Sequence, residues 1–270
     1  MEKGEYGRMI AFFDIDGTLT SEVDASIPDS AVIAIRKARE NGHLMFINTG
    51  RCAQNVEKCF REIGFDGYVC GCGTNIYFDH KELLYVSQTH EVVMALLQQA
   101  RRTDIDIVFE SRKEIVFDLS REIHNPDALN LYYDLKGKHY DMSHPLEAED
   151  YTCDKFIIWF TDAEQLAAFR TVSDKWFICI DRGNHFREFV PIGYSKATGI
   201  QFLLDKLRMP LSEAYAFGDS NNDLPMLQYV PNSIAMGNAE NESLFEKVSY
   251  VTAKASENGI QKALEHFKFI

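Results

Sequence analysis

Five apolar residues in a row, Met9–Phe13, break off at Asp14-Ile15-Asp16-Gly17-Thr18. A run this short with no polar face predicts a strand covered on both sides, as in a parallel sheet. Pro28-Asp29-Ser30 then opens a helix whose Ala31, Ala34, Ile35 and Ala38 keep helical spacing, and Asn41-Gly42 closes it. A second strand, Leu44–Ile47, runs into Asn48-Thr49-Gly50-Arg51, followed by a helix over Ala53–Ile63 and a strand around Tyr68–Cys70. The alternation returns late in the chain: helix Ser195–Leu207, strand Ala214–Phe217, helix Asp223–Tyr229, strand Ser233–Met236, then helices from Glu240 and from Glu257. Alternating strands and helices of this kind build a parallel α/β sheet.

Between these halves the rhythm differs. Helix Glu91–Arg101 puts Val92, Val93, Leu96, Leu97 and Ala100 on one face, and Ile105–Phe109 with Ile115–Leu119 read as a hairpin around Ser111-Arg112-Lys113. Strand Phe156–Phe160, helix Ala163–Arg170, strand Trp176–Ile180, a turn at Asp181-Arg182-Gly183-Asn184 and strand Phe186–Val190 follow. The polar stretch His124–Pro145, with two prolines and little periodicity, reads as an irregular connection. The expected architecture is α/β: a Rossmann-like parallel-sheet core formed by residues 1–82 and 188–270, with an inserted α+β cap at 83–187.

Composition narrows the function. With 28 Lys and Arg against 41 Asp and Glu among 270 residues, the formal charge of −13 opposes coating of nucleic acid or binding to anionic membranes. There is no apolar stretch of membrane-spanning length, and the polar start Met1–Arg8 lacks a signal-peptide layout, so a cytoplasmic location is expected. The six cysteines form no C-x-x-C pair and read as reduced core thiols.

The chemistry gathers where strands end. In an open parallel sheet the carboxyl edge is where ligands bind, and Asp14 and Asp16 stand there. Gly218-Asp219-Ser220-Asn221-Asn222-Asp223 closes a second buried strand with hard oxygen donors suited to Mg²⁺. Thr49-Gly50-Arg51 offers a hydroxyl and a closely approachable N–H at a third strand end. Lys196 falls in the first turn of a helix, where the macrodipole disfavours a cation unless an anion is near. Singly, each has an ordinary structural reading as a cap, turn or solvated residue; two acidic loops closing two buried strands make a bipartite cation site the stronger one.

Together the four segments resemble, in order, the four motifs of the haloacid dehalogenase superfamily, and within it the Cof-like phosphatases with a type-two cap of the B subtype. The resemblance spans Met9 to about Phe267. It implies Asp14 as nucleophile, Asp16 as general acid and base, and Mg²⁺ held by Asp14, the main-chain carbonyl of Asp16 and Asp219. It also implies that Thr49, the Gly50 N–H, Lys196 and Asn222 grip the phosphoryl group, with Arg51 and Asp223 in support. The expected reaction is Mg²⁺-dependent hydrolysis of a small-molecule phosphate ester, a sugar phosphate or similar. A phosphomutase acting on hexose phosphates and a non-catalytic phospho-ligand sensor are the alternatives. Two departures stand out: Cys72-Gly73-Thr74-Asn75 replaces the Asn-Gly pair many relatives carry after the third strand, and the leader before Met9 is longer than usual. Arg182, Asn184, His185 and Arg187, with Arg121, His124 and Asn125, are candidates for substrate contacts from the cap.

Overall fold

The structure is a computed structural model and describes residues 7–239 and 241–270. Most of the leader therefore lies outside the described residues. The chain divides into two compact units, one made of the residues up to Arg51, Val56–Leu84 and Tyr194–Ile270, the other of Cys52–Asn55 and Tyr85–Gly193.

In chain order the elements are β1 (Ile10–Phe13), α1 (Asp29–Glu40), β2 (Leu44–Asn48), α2 (Lys58–Ile63), β3 (Gly67–Cys70), β4 (Asn75–Phe78) and β5 (Lys81–Tyr85). Then come α3 (His90–Arg102), β6 (Asp106–Glu110), β7 (Ile115–Phe117), α4 (Pro126–Gly137), β8 (Lys155–Trp159), α5 (Ala163–Ser173), β9 (Phe177–Asp181) and β10 (Phe186–Pro191). The chain ends with α6 (Lys196–Leu207), β11 (Ala214–Gly218), α7 (Leu224–Tyr229), β12 (Asn232–Ala235), β13 (Tyr250–Val251) and α8 (Gly259–His266).

The first unit is built on one sheet in the order β13-β12-β11-β1-β2-β3-β4-β5, parallel from β13 to β3 and antiparallel at β3–β4. Its central strand explains the unbroken apolar run: all four residues of β1 are fully buried, because helices cover both faces. Ile10, Phe12 and Phe46 pack with Ile200 and Leu203 of α6 and Met226 and Leu227 of α7. Gly199 lets α6 come that close, since a Cβ there would stand 2.4 Å from a methyl of Val69. On α1 the buried residues are Ala31, Ala34, Ile35 and Ala38, the face read from the sequence.

The second unit is an antiparallel sheet in the order β7-β6-β8-β10-β9. One face packs on α3 and α5 through Leu96, Leu97, Phe156, Phe169, Phe177 and Phe189. The other carries Val108, Phe117, Ile157 and Trp159 against Ala128 and Leu135 of α4.

Four expectations need correction. His124–Pro145 contains a helix, α4: Asn125 accepts hydrogen bonds from the Asp127 and Ala128 N–H groups, Pro126 occupies the first turn, and Ala128 and Leu135 are the buried positions in a polar surround. The helix over Ala53–Ile63 is a short 3₁₀ turn and a separate α2, divided at Glu57, whose backbone is extended. The break expected after residue 187 would cut β10, whose Arg187 and Glu188 pair with both β8 and β9; the unit ends at Gly193 instead. Of the helix expected from Glu240, the described part is a 3₁₀ segment, Glu242–Lys247.

Within the second unit Asp154 is 1% exposed. Its Oδ1 has no hydrogen-bond partner. Burial, opposed by the hydrogen bond of the Tyr85 hydroxyl, raises its pKa from 3.8 to about 7. A carboxyl whose folded pKa is raised contributes stability below the unfolded value that is lost as pH climbs through the folded one. Stability of this unit should therefore fall by on the order of 2–4 kcal/mol from Asp154 between about pH 4 and pH 8. Asp154→Asn should flatten that part of the slope in denaturant titrations across the range.

Candidate active site

Four strand ends of the first unit converge on the site. β1 delivers Asp14, whose N–H donates to the Phe217 carbonyl at 3.1 Å and so ties the end of β1 to β11. The chain then turns through Ile15–Leu19, with Gly17 at φ +75°, a region open to glycine at little strain. A Cβ at Gly17 would also meet Asp219 Oδ2 at 2.2 Å, so the absent side chain is what lets the two acidic loops close on each other. The Thr18 hydroxyl donates to Asp219 Oδ1 at 3.0 Å, and the Asn238 amide donates to the Gly17 carbonyl at 2.7 Å.

From β11 come Asp219 and Asp223. Asp223 is fully buried; its Oδ2 accepts the N–H groups of Asp219 and Ser220 at 3.0 and 3.1 Å, which shapes the loop. Its Oδ1 accepts from Lys196 Nζ at 2.6 Å, and the same ammonium donates to Asp14 Oδ1 at 2.6 Å. Ser195 caps α6 reciprocally with Thr198, which fixes Lys196 as the first helical residue. Asn48, itself buried, holds the Lys196 carbonyl at 3.0 Å. Thr49 follows β2, 1% exposed, and its hydroxyl accepts the Arg51 N–H at 3.1 Å. Arg51 forks onto Asp16, Nε to Oδ2 at 3.0 Å and Nη2 to Oδ1 at 2.5 Å; the Asp16 side chain is 62% exposed. Asn222 is half-buried and accepts from the Ser220 hydroxyl.

The electrostatics are those of an anionic site lacking positive charge. Asp14, Asp219 and Asp223 present oxygens within 4.8 Å of one another. Burial, reinforced by Asp223, pushes Asp14 up to about 7 and Asp219 up to about 8. For Lys196 burial works downward, but the charges of Asp14 and Asp223 outweigh it and the pKa is raised, so the ammonium stays protonated. One cation against three buried carboxylates leaves a formal charge of −2. Hard oxygen donors with two excess negative charges fit a divalent ion such as Mg²⁺, which would reverse the upward shifts.

The structure brings together Asp14, Asp219, Lys196 and Asp223, and separately Asp16 with Arg51. The cap candidates are engaged within their own unit. Arg187 lies 2.8 Å from Asp181 and over the Phe160 ring, Arg121 is 2.7 Å from Asp104, and His124 is 3.4 Å from Asp104. Arg182 stands 3.9 Å from Glu188, and Asn125 caps α4. Asn184 and His185 form a turn at positive φ. Sequence reasoning gave no role to Asn48 or Asn238, and read Thr18 only as a hydroxyl beside the first acidic pair. Asn238 had a readable signal, since it follows β12 at a fourth strand end.

A parallel sheet whose central strand ends in a buried aspartate, clamped by a lysine and faced by a second acidic loop, defines a class of phosphoryl-handling hydrolases. The chain belongs to the haloacid dehalogenase-like hydrolases, whose family profile matches residues 11–264, and it is a phosphatase of that family. It is 30% identical to the YkrA protein of Bacillus subtilis (strain 168), which bears a phosphatase name, over 95% of this chain and 96% of that one. It is 27% identical to the HMP-PP phosphatase of Klebsiella pneumoniae (strain 342), over 85% and 84% respectively. Among solved structures, the subclass IIB sugar phosphatase BT4131 superposes with a TM-score of 0.81 at 26% identity, covering 97% of this chain and all of that one. Among the described residues no helix is long and apolar enough to cross a membrane.

Proposed function

We propose that the protein is a Mg²⁺-dependent phosphomonoesterase for small organic phosphates, working through an aspartyl-phosphate. The observation that carries the reading is Lys196, buried and bonded at once to Asp14 and Asp223 beside Asp219. A dianionic ester cannot approach an anionic nucleophile unless charge is neutralised, and this is where the chain concentrates the means. Asp14, Asp219 and the carbonyl of Asp16 would hold Mg²⁺, which supplies Lewis-acid charge at the transferring phosphoryl group.

Asp14 attacks phosphorus; the Asp14 O–P bond forms as the ester P–O bond breaks, and Asp16 gives its proton to the departing alkoxide. Asp16 then takes a proton from water, which attacks phosphorus and frees Asp14 and inorganic phosphate. Thr49, the Gly50 N–H, Lys196 and Asn222 grip the phosphoryl oxygens through these steps. Asp16 suits its part by lying at the exposed rim, oriented by Arg51. The small-phosphate substrate class is supported by relatives named as an HMP-PP phosphatase, a 5-amino-6-(5-phospho-D-ribitylamino)uracil phosphatase and a sugar phosphatase.

The test is phosphate release from a panel of sugar phosphates, nucleotides, flavin mononucleotide and pyridoxal phosphate. Release is expected with Mg²⁺, should fall to background with a chelator, and should return when Mg²⁺ is restored. Conversion of a hexose 1-phosphate to the 6-phosphate without phosphate release would instead establish a mutase.

A further inference from the structure

Gly17 joins Asp16 to Thr18 at φ +75°, and a Cβ on it would stand 2.2 Å from Asp219 Oδ2, so this glycine lies against the acidic cluster. Glycine restrains its own backbone least, and the two peptide groups beside it need outside partners to hold one orientation. Both have one. On the N-terminal side the Gly17 N–H donates to the Thr20 hydroxyl at 3.1 Å, and that hydroxyl donates in turn to the Ile15 carbonyl at 3.1 Å. Thr20 is buried, and its own N–H also donates to the Ile15 carbonyl at 3.0 Å. On the C-terminal side the Gly17 carbonyl accepts from the Asn238 amide at 2.7 Å.

A trans peptide is planar, so fixing an N–H fixes the direction of the carbonyl across the same bond. Thr20 therefore sets the direction of the Asp16 main-chain carbonyl without touching it. Asn238 is held from its far end: its Oδ1 accepts the Ala255 N–H at 2.9 Å, and the preceding Gly237 N–H donates to the Ala253 carbonyl at 3.1 Å. With an acceptor on one side and a donor on the other, the amide has a single satisfied orientation. Turned over, it would set its NH₂ against an N–H and its oxygen against a carbonyl. The peptide groups flanking Gly17 are thus pinned, one from within the loop after β1 and the other from the loops after β12 and β13.

We propose that Thr20 and Asn238 are positioning residues for the metal site, holding the Asp16 main-chain carbonyl ready for a divalent ion bound by Asp14 and Asp219. The inference rests on the reading of that carbonyl as a Mg²⁺ ligand. Neither side chain need touch the ion or the substrate.

Melting of the substrate-free protein over a Mg²⁺ series tests it without recourse to turnover. The wild-type melting temperature should rise with Mg²⁺, as binding to the native state requires. In Thr20→Val, which keeps the shape and removes the hydroxyl, and in Asn238→Ala, the rise should need about tenfold more Mg²⁺, as is typical when a group orienting a metal ligand is lost. The Mg²⁺ concentration for half-maximal phosphate release from a chromogenic aryl phosphate should move by the same factor. Thr20→Ser, which retains the hydroxyl, should return both midpoints to within about twofold of the wild type. A lower melting temperature in chelator with both Mg²⁺ midpoints unmoved would overturn the proposal, since the two residues would then serve the fold alone. Should Thr20→Val fail to fold, Asn238→Ala decides, because that position is only half-buried. A wild type whose melting and phosphate release both ignore Mg²⁺ would sink the metal reading itself, whereas a Mg²⁺-responsive wild type with unshifted variants sinks the positioning role alone.

Discussion

Asp14→Asn should reduce phosphate release by about 10⁴-fold or more while leaving the protein folded. The carboxamide matches the carboxylate in size, so the end of β1 and its backbone bond to Phe217 are undisturbed. Its oxygen is a poor nucleophile, and it cannot balance a divalent ion as a carboxylate does. Removing one of the three clustered carboxylates, two of which pair with Lys196, takes the formal charge of the site from −2 to −1. In metal-free buffer the variant should therefore be at least as resistant to denaturant as the wild type, and loss of activity could not be blamed on unfolding. Single-turnover assays with mass detection of the phosphorylated chain would check both halves. Retained turnover in a folded Asp14→Asn protein would exclude the covalent route.

Much of this site was legible because of where the polar residues stand in relation to buried strands. A parallel strand covered on both faces is a continuous apolar run, so its end is marked by the first acidic or small polar residue. Asp14 and Asp219 were found in that way, and Thr49 one position past Asn48, the first polar residue of its strand end. Lys196 was legible for a different reason, as a cation at the wrong end of a helix, and the structure gives it two carboxylates to offset the macrodipole. The pairing of Arg51 with Asp16 was not legible, since the two are 35 positions apart and nothing local records that their loops meet.

The same limit applied to the cap. The apolar face of α4 is narrow and its capping residue lies in a polar run, so composition hid it. That Cys52–Asn55 groups with residues 85–193 depends on burial against Val108 and Ile157, more than fifty positions away, and periodicity carries no information at that range. The long polar side chains of the second cap hairpin looked available for a ligand in the sequence. In the structure Arg187 is bonded to Asp181 and lies over Phe160. A charged residue in a turn is a weak sign of recognition because neighbouring acids on the same element can satisfy it first.

Lys196→Met should have the largest combined effect, lowering kcat/KM by about 10³-fold or more and destabilising the fold by about 3–5 kcal/mol. Lys196 is 1% exposed and bonded at 2.6 Å to both Asp14 and Asp223, so its removal leaves three buried carboxylates with no protein cation among them. Mg²⁺ should recover part of the stability, by an amount that grows with its concentration as binding to the native state requires, but little of the rate. The decisive companion is Lys196→Met with Asp223→Asn. The carboxamide oxygen introduced at position 223 can still accept from the N–H groups of Asp219 and Ser220, as Oδ2 of Asp223 does, so the loop keeps its shape while one buried charge is withdrawn. Denaturant titration should show the double variant recovering most of the lost stability while phosphate release stays at the level of Lys196→Met. Recovery of activity along with stability would mean that Lys196 only balances charge in the fold and does not act on the phosphoryl group.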